Sequence, residues 1–405
     1  MARKHKLKRN LGLLLVTIYG LGNIVGAGIY ALIGKVAGEA GMATPLAFLL
    51  SAFVAGFSAL SFAELSSRQP YSEGVSAYIQ LAFRRKWLSI FVGLFMSLAT
   101  IVSAATLARA FGGYLSAATN INIAIGAILI IFAFGLLASW GISESTTVFA
   151  LHTVIEIIGL LIIVWFGKNS LGQALQSPGQ FFNLSGVGIG GLMSGVFLAF
   201  YAYIGIEDMV HLSEETRNTR RTMPLAIVLA VVVSTVLYLL ISVVAIKSIS
   251  IPELQASNAP LSLVFSKITS TPAWIITVIA LTASAGGVLA HIISGSRLLY
   301  GMSEAGWLHK WLSKVQQKRK TPTLAIAVVV ILSAILASLV DLTVLATITS
   351  FLILFVFLLV NLSLTYIKLR HYKSTQSKLN VPILVPFLGL ISCVVLIVLQ
   401  IIHLV

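Results

Sequence analysis

The sequence predicts an all-α membrane protein that crosses the bilayer about eleven times, with its first and sixth spans interrupted. Three observations predict it. Of the 405 residues, 58% are hydrophobic and only 10% are charged, a balance suited to lipid and not to a water-soluble core. The apolar residues come in continuous runs long enough to cross a bilayer as helices, without the alternation of a β-barrel. The Lys and Arg, 27 against 12 Asp and Glu, concentrate in alternate connections, as they do in polytopic proteins.

Taken in order, residues 1–10 are a basic segment with no small-residue cleavage site after them. The spans then fall at 11–35, 43–66, 87–111, 121–140 and 147–167, at 190–211, 224–246, 272–299, 323–340 and 343–367, and finally at 382–404. Residues 11–167 and 190–367 therefore form two five-helix halves, and 382–405 an additional transmembrane helix. Of the 27 basic residues, 22 lie in connections on the side of the N-terminus. The other five are Lys35, Arg109, Lys168, Lys247 and Lys267. The positive-inside rule makes the N-terminal side cytoplasmic and, with an odd number of spans, puts the C-terminus outside. The net charge of +15 is thus topological, with some attraction to anionic lipid, and is no nucleic-acid footprint. The single cysteine, Cys393, lies in an apolar run, so no disulfide-linked accessory subunit is expected.

The first interruption is Gly20-Leu21-Gly22-Asn23-Ile24-Val25-Gly26-Ala27-Gly28-Ile29-Tyr30, where four glycines and an asparagine sit inside an apolar span. Each glycine costs about 1 kcal/mol against alanine in a helix interior. Several together mark either a helix built to break or a close helix–helix contact. A break is tolerated at membrane depth only where it lines a cavity. There the freed N–H groups carry the positive end of a helix dipole and suit a carboxylate. The second interruption, Phe200-Tyr201-Ala202-Tyr203-Ile204-Gly205-Ile206-Glu207-Asp208, occupies the corresponding position of the second half. Paired broken spans point to the binding site of an inverted-repeat transporter.

These residues resemble the amino acid–polyamine–organocation transporter superfamily. Gly22 to Tyr30 is similar to its G-x-I-x-G-[AS]-G-I-[FY] signature. Ala63-Glu64-Leu65-Ser66-Ser67-Arg68 resembles the entry to its first cytoplasmic loop, and Trp140-Gly141-Ile142-Ser143-Glu144-Ser145 its G-[IV]-[RS]-E-S turn. Phe200 to Pro224 resembles the sixth-span core and the following loop, with Glu214, Glu215, Asn218, Arg221 and Pro224 at the matching positions. Ser294 to Tyr300 resembles the end of span eight. The ordered set covers spans one to ten.

The resemblance implies a LeuT-like 5+5 inverted repeat with helices 1 and 6 discontinuous, working by alternating access, and an α-amino acid as substrate. Relatives hold the α-carboxylate on backbone N–H groups, here those of Gly26, Ala27 and Gly28. They hold the α-ammonium on freed carbonyls, here those of Ile24, Ala202 and Ile204. Tyr201 matches an aromatic that covers the substrate. Tyr203 and Glu207 flank the second break as gating candidates, with ring packing and helix capping as their plainer roles. His291 matches a substrate-facing position in span eight. Where relatives often carry a lysine in span five, this chain has Glu156. His152 lies one turn away on the same face. An ionisable residue at membrane depth is a functional candidate, so Glu156 and His152 form either a proton-coupling pair or a satisfied buried network. Arg68, Glu214, Glu215, Arg217, Arg220, Arg221 and Arg297 are read as an inner salt-bridge gate. Arg109 is read as a snorkelling cation, the alternatives being a pair with Glu39 or Asp341 or a contact to an anionic substrate. Pocket walls of small residues (Ser103, Ala104, Ser284, Ile348) favour neutral side chains.

No phosphate-cradling loop, metal-spaced cluster or nucleophile elbow points to an enzyme, and no cofactor is expected. The expected activity is secondary active amino-acid transport in the cell membrane, as proton-coupled uptake of neutral L-amino acids, with sodium as the alternative coupling ion. An exchanger, a polyamine or cationic amine carrier and a non-transporting amino-acid sensor are the alternatives.

Overall fold

Every predicted span is helical in the computed structural model, which describes residues 10–68, 75–141, 146–316, 319, 321–370 and 379–404. The basic N-terminal residues 1–9 and Ile142–Ser145 of the predicted turn motif lie outside the described residues. In chain order the helices are α1 (Leu13–Ala40), α2 (Thr44–Arg68), the short α3 (Val75–Phe83), α4 (Lys86–Thr119), α5 (Ile123–Ser139), α6 (Thr146–Phe166) and α7 (Lys168–Gln176). They continue with α8 (Gly188–Phe200), α9 (Ile206–Met209), α10 (Thr219–Ser248), α11 (Ile251–Ala256), α12 (Pro260–Thr269), α13 (Trp274–Glu304), α14 (Thr323–Leu339), α15 (Leu342–Leu369) and α16 (Leu384–Leu404). Among the described residues, eight helical stretches are long and apolar enough to cross a membrane. Three apolar stretches are shorter: Leu13–Gly26, Ile123–Ser139 and Thr323–Leu339. The first of these is short because α1 breaks.

Both expected interruptions are present. Gly26 leaves helical geometry (φ −14°, ψ −156°) in the middle of α1. The sixth span runs as α8 to Phe200, tightens into a 3₁₀ turn over Tyr201–Tyr203, extends at Ile204 and restarts at Ile206. Gly205 makes the restart possible. Its φ of +117° lies in a region that side-chain-bearing residues avoid. A Cβ there would stand 2.5 Å from the carbonyl oxygen of Asn23. The two breaks therefore meet backbone to backbone.

The helices sort into two groups. One is α1, α2, α8 and α10, in which α2 packs along α10 and α1 along both α10 and α8. The other is α4, α5, α13 and α14, built on the long α4–α13 pair. Helix α6 packs chiefly on α1, α15 chiefly on α4 and α16, and α16 on α15, α2 and α8. Outward-facing Leu129, Leu136, Leu151, Trp165 and Leu339 are each more than half exposed. An apolar exterior of this kind is stable in lipid and not in water. Inside, hydroxyls return to their own helix: Ser97 donates to Gly93 O at 2.9 Å, Thr106 to Val102 O at 2.8 Å and Ser284 to Ala280 O at 2.7 Å. In hydrocarbon an unpaired hydroxyl would cost far more than the slight bend such a bond introduces.

Candidate substrate-binding site

The two breaks open onto a cavity of about 540 Å³ between the helix groups. Its floor is Ile24, Gly26 and Gly28 of α1 with Tyr201, Ile204 and Gly205 of the sixth span. Its far wall is Ser103 and Leu107 of α4 and Ala283, Gly287 and His291 of α13. Helix α6 contributes Phe149, His152 and Glu156. Gly28 sets the closeness of the breaks, because a Cβ on it would lie 3.1 Å from Ala202 Cα.

Most predicted site residues converge here. The Tyr201 hydroxyl is 3.0 Å from Ser103 Oγ, which is 3.0 Å from His291 Nε2, so one chain of polar atoms links spans six, three and eight across the cavity. His152 Nδ1 lies 3.3 Å from Glu156 Oε1. Glu156 is 2% exposed, and its backbone carbonyl accepts from Tyr30 OH at 2.7 Å. Ala27 follows the kink at Gly26, and its backbone is the part of it that is described.

Other placements differ from expectation. The carbonyls of Ile24 and Ala202 do not stand free for an ammonium: the hydroxyl of Tyr238, on α10, lies 2.7 Å from each. Ala202 does not line the cavity. Tyr203 turns away from it, donating to Phe48 O at 3.2 Å and packing edge-on against the Tyr238 ring. Glu207 also stays outside: its Oε2 accepts from Gly205 N–H at 3.1 Å and steadies the restart of the helix. Tyr203 thus reaches the α2–α10 side, and Glu207 closes on the backbone of its own segment. Of the four predicted wall residues, Ser103 lines the cavity. Ser284 and Ala104 are buried between helices, and Ile348 is on the outer surface. Span ten contributes nothing to the lining.

Several lining residues escaped sequence reasoning. Asp208, beside Glu207, faces the cavity, as does His211, and so do two residues noted for other reasons, Asn23 of the first interruption and Glu215 of the expected inner gate. Tyr19 and Phe149 meet on its flank as a tilted ring pair, centroids 4.8 Å apart. Tyr238 carried one signal, a lone tyrosine in an aliphatic span.

The cavity is open at one end and shut at the other. It runs from the breaks past His211, Leu212, Glu215, Arg297 and Leu298, toward the end that bears the basic connections. There Leu11 pairs with the 215–217 loop, donating to Glu215 O at 3.1 Å and accepting from Arg217 N–H at 2.8 Å. Arg68, read as part of the inner gate, is held by Glu64 of its own helix at 2.6 Å, and Glu64 also meets Lys368 at 2.9 Å. At the shut end, Tyr114 OH donates to Tyr30 O at 2.7 Å and accepts from Leu261 N–H at 3.4 Å. With Tyr30 on Glu156, one hydrogen-bonded chain ties α12, α4, α1 and α6.

Residues 11–405 match the amino acid permease family over nearly the whole chain. The chain belongs to that family. Among its relatives is the branched-chain amino acid permease BcaP of Bacillus subtilis (strain 168), 26% identical over 417 residues, with 96% of this chain and 88% of the relative covered. The vacuolar cationic amino acid transporter 4 of Arabidopsis thaliana is 29% identical, over 83% of this chain and 59% of the relative. Cationic amino acid transporter 4 of Mus musculus is 28% identical, over 83% of this chain and 56% of the relative. The chain thus spans most of the bacterial permease and less than three-fifths of the other two. As an amino acid permease it is a multi-pass membrane protein, and its family's work is amino-acid transport.

Proposed function

We propose that this permease is a secondary active transporter that takes up neutral L-amino acids with a proton, by alternating access across the cell membrane. The observation that carries the reading is the meeting of two broken spans at one cavity, with bare glycine backbone on its floor and an imidazole–carboxylate pair in its wall. The N–H groups after Gly26 suit an α-carboxylate. With the carbonyls of Ile24 and Ala202 taken by Tyr238, the ammonium belongs at the carbonyl of Ile204, which lines the cavity at the second break. Tyr201, joined to Ser103 and His291, covers the substrate. The two helix groups are the parts that rock, and each draws paired members from the two five-helix halves, α1 with α8 and α2 with α10, α4 with α13 and α5 with α14. The side bearing the basic connections is cytoplasmic, so the conformation described is open inward.

Glu156 is the coupling group, with His152 as its partner. Uptake of L-leucine into proteoliposomes is expected to rise with an inward proton gradient, and Glu156→Gln to lose that dependence while still binding leucine. A mutant that kept the full gradient dependence would remove Glu156 from coupling, and uptake driven by sodium alone would replace the proton.

A second reading, a carrier of cationic amino acids, is favoured by three carboxylates on the cavity wall: Glu156, Asp208 and Glu215. Competition separates the two. L-Leucine displacing labelled substrate better than L-arginine supports the neutral reading, and the reverse order supports the cationic one.

A further inference from the structure

A second cavity, of about 600 Å³, lies at the shut end of the molecule, away from the breaks. Lys35 of α1 and Arg109 of α4 line it, against a single carboxylate, that of Asp341. Its remaining walls are Gly113, the Ser257–Asn258 connection between α11 and α12, and the first residues of α5 and α15. The walls are held in place. Lys35 Nζ donates to Gln255 O at 2.6 Å, and Gly113 has no room for a side chain beneath Asn258 O.

The charge in this space is unbalanced toward the positive. Arg109, only 14% exposed at its side chain, spends one nitrogen on Asp341 at 2.6 Å. A guanidinium has five N–H donors. The Asp341 carboxyl is 87% exposed, so it holds that contact from the water side. Asp341 is also the N-cap residue of α15, yet its side chain does not cap the helix, because it has gone to Arg109. The start of α5 is capped by Asn122, whose Oδ1 accepts from Ala124 N–H at 2.9 Å, so it is the uncapped start of α15 that adds a positive helix pole to the two cations.

The geometry points to this cavity as an anion site, distinct from the central one, that takes a small carboxylate between Arg109 and Lys35, with Asp341 as the built-in competitor. The carboxylate makes the bidentate pair with Arg109 that Asp341 makes only on one nitrogen. It can belong to a simple organic acid or to an amino acid, whose ammonium then meets Asp341.

Acetate titrations of the purified protein in nanodiscs, at constant chloride and ionic strength, test this by binding and by thermal unfolding. Acetate lacks the ammonium, so the result does not depend on the transport reading. Wild type is expected to show saturable stabilisation by acetate. Asp341→Asn, a change at an exposed position, is expected to bind acetate about tenfold more tightly, since the competitor is gone. Arg109→Gln and Lys35→Met are each expected to weaken it at least tenfold. Glycine then identifies the source: Asp341→Asn weakens glycine while tightening acetate if the site takes amino acids, and tightens both if it takes any carboxylate. Either result supports the site. No saturable acetate effect in wild type, or equal acetate affinity in wild type, Asp341→Asn and Arg109→Gln, overturns it.

Discussion

Gly205 carries two constraints at one residue. Its positive φ and the Asn23 carbonyl 2.5 Å from where a Cβ would stand leave no alternative to glycine. Gly205→Ala is expected to cost about 1–3 kcal/mol from the backbone conformation alone, and more from the forced separation of the breaks. A lowered unfolding midpoint in detergent, with loss of uptake, would show it. Tyr238 offers a gentler probe. Its hydroxyl is the shared partner of the Ile24 and Ala202 carbonyls, and leaving buried groups unpaired costs about 1–3 kcal/mol. Tyr238→Phe should therefore lower the midpoint measurably, and an unchanged midpoint would mean that water takes over both bonds. At this scale the glycine-rich stretch was readable as a break, because composition alone makes a helix weak there. Tyr238 was not readable as its clamp, because nothing in the order of residues says which face of span seven meets span one.

Among the elements, the last helix, α16, is attached by polar as well as apolar contacts. Asn361 of α15, fully buried, accepts from Ser61 at 2.6 Å and donates to Ser58 at 2.9 Å, beside Cys393 of α16. Closer to the basic end, the buried Glu64 takes Arg68, Lys368 and the Val381 N–H together. One carboxylate thus ties α2 to the end of α15 and to the approach to α16. Removing it would leave two cations short of their partner, and breaking a buried pair costs about 3–5 kcal/mol. Glu64→Gln is expected to lower the unfolding midpoint strongly while leaving substrate affinity unchanged; a loss of affinity without loss of stability would assign Glu64 to the transport path. The span boundaries were legible to within a few residues because hydropathy sets them. The exception is the far end of α4, which continues past the expected 111 to Thr119, because Gly112, Gly113 and Tyr114 are buried against protein there.

For the whole molecule, the described conformation predicts a one-sided accessibility. Ser294 and Leu298 line the open end of the central cavity, and Cys393 is buried, so single cysteines can be read against a quiet background. Ser294→Cys is expected to react with a membrane-impermeant thiol reagent from the side of the basic connections. Reaction from the opposite side should require conditions that open the Tyr30–Tyr114–Leu261 chain. Equal labelling from both sides would contradict a cavity with one shut end.

Class, helix order, the two weak points and the charge asymmetry were all written in the chain, because each depends on local composition: apolar length, glycine content, the placing of Lys and Arg. Which side chains share the cavity was settled by folding. Asp208 faces it and Glu207 does not, although they are adjacent, because one register step on a broken helix turns a side chain away from the cavity, here onto the backbone N–H of Gly205. Ile348 went to lipid and Tyr238 came to the breaks for the same reason: helix rotation depends on packing between spans distant in sequence, and hydropathy is blind to it when every face of a helix is apolar.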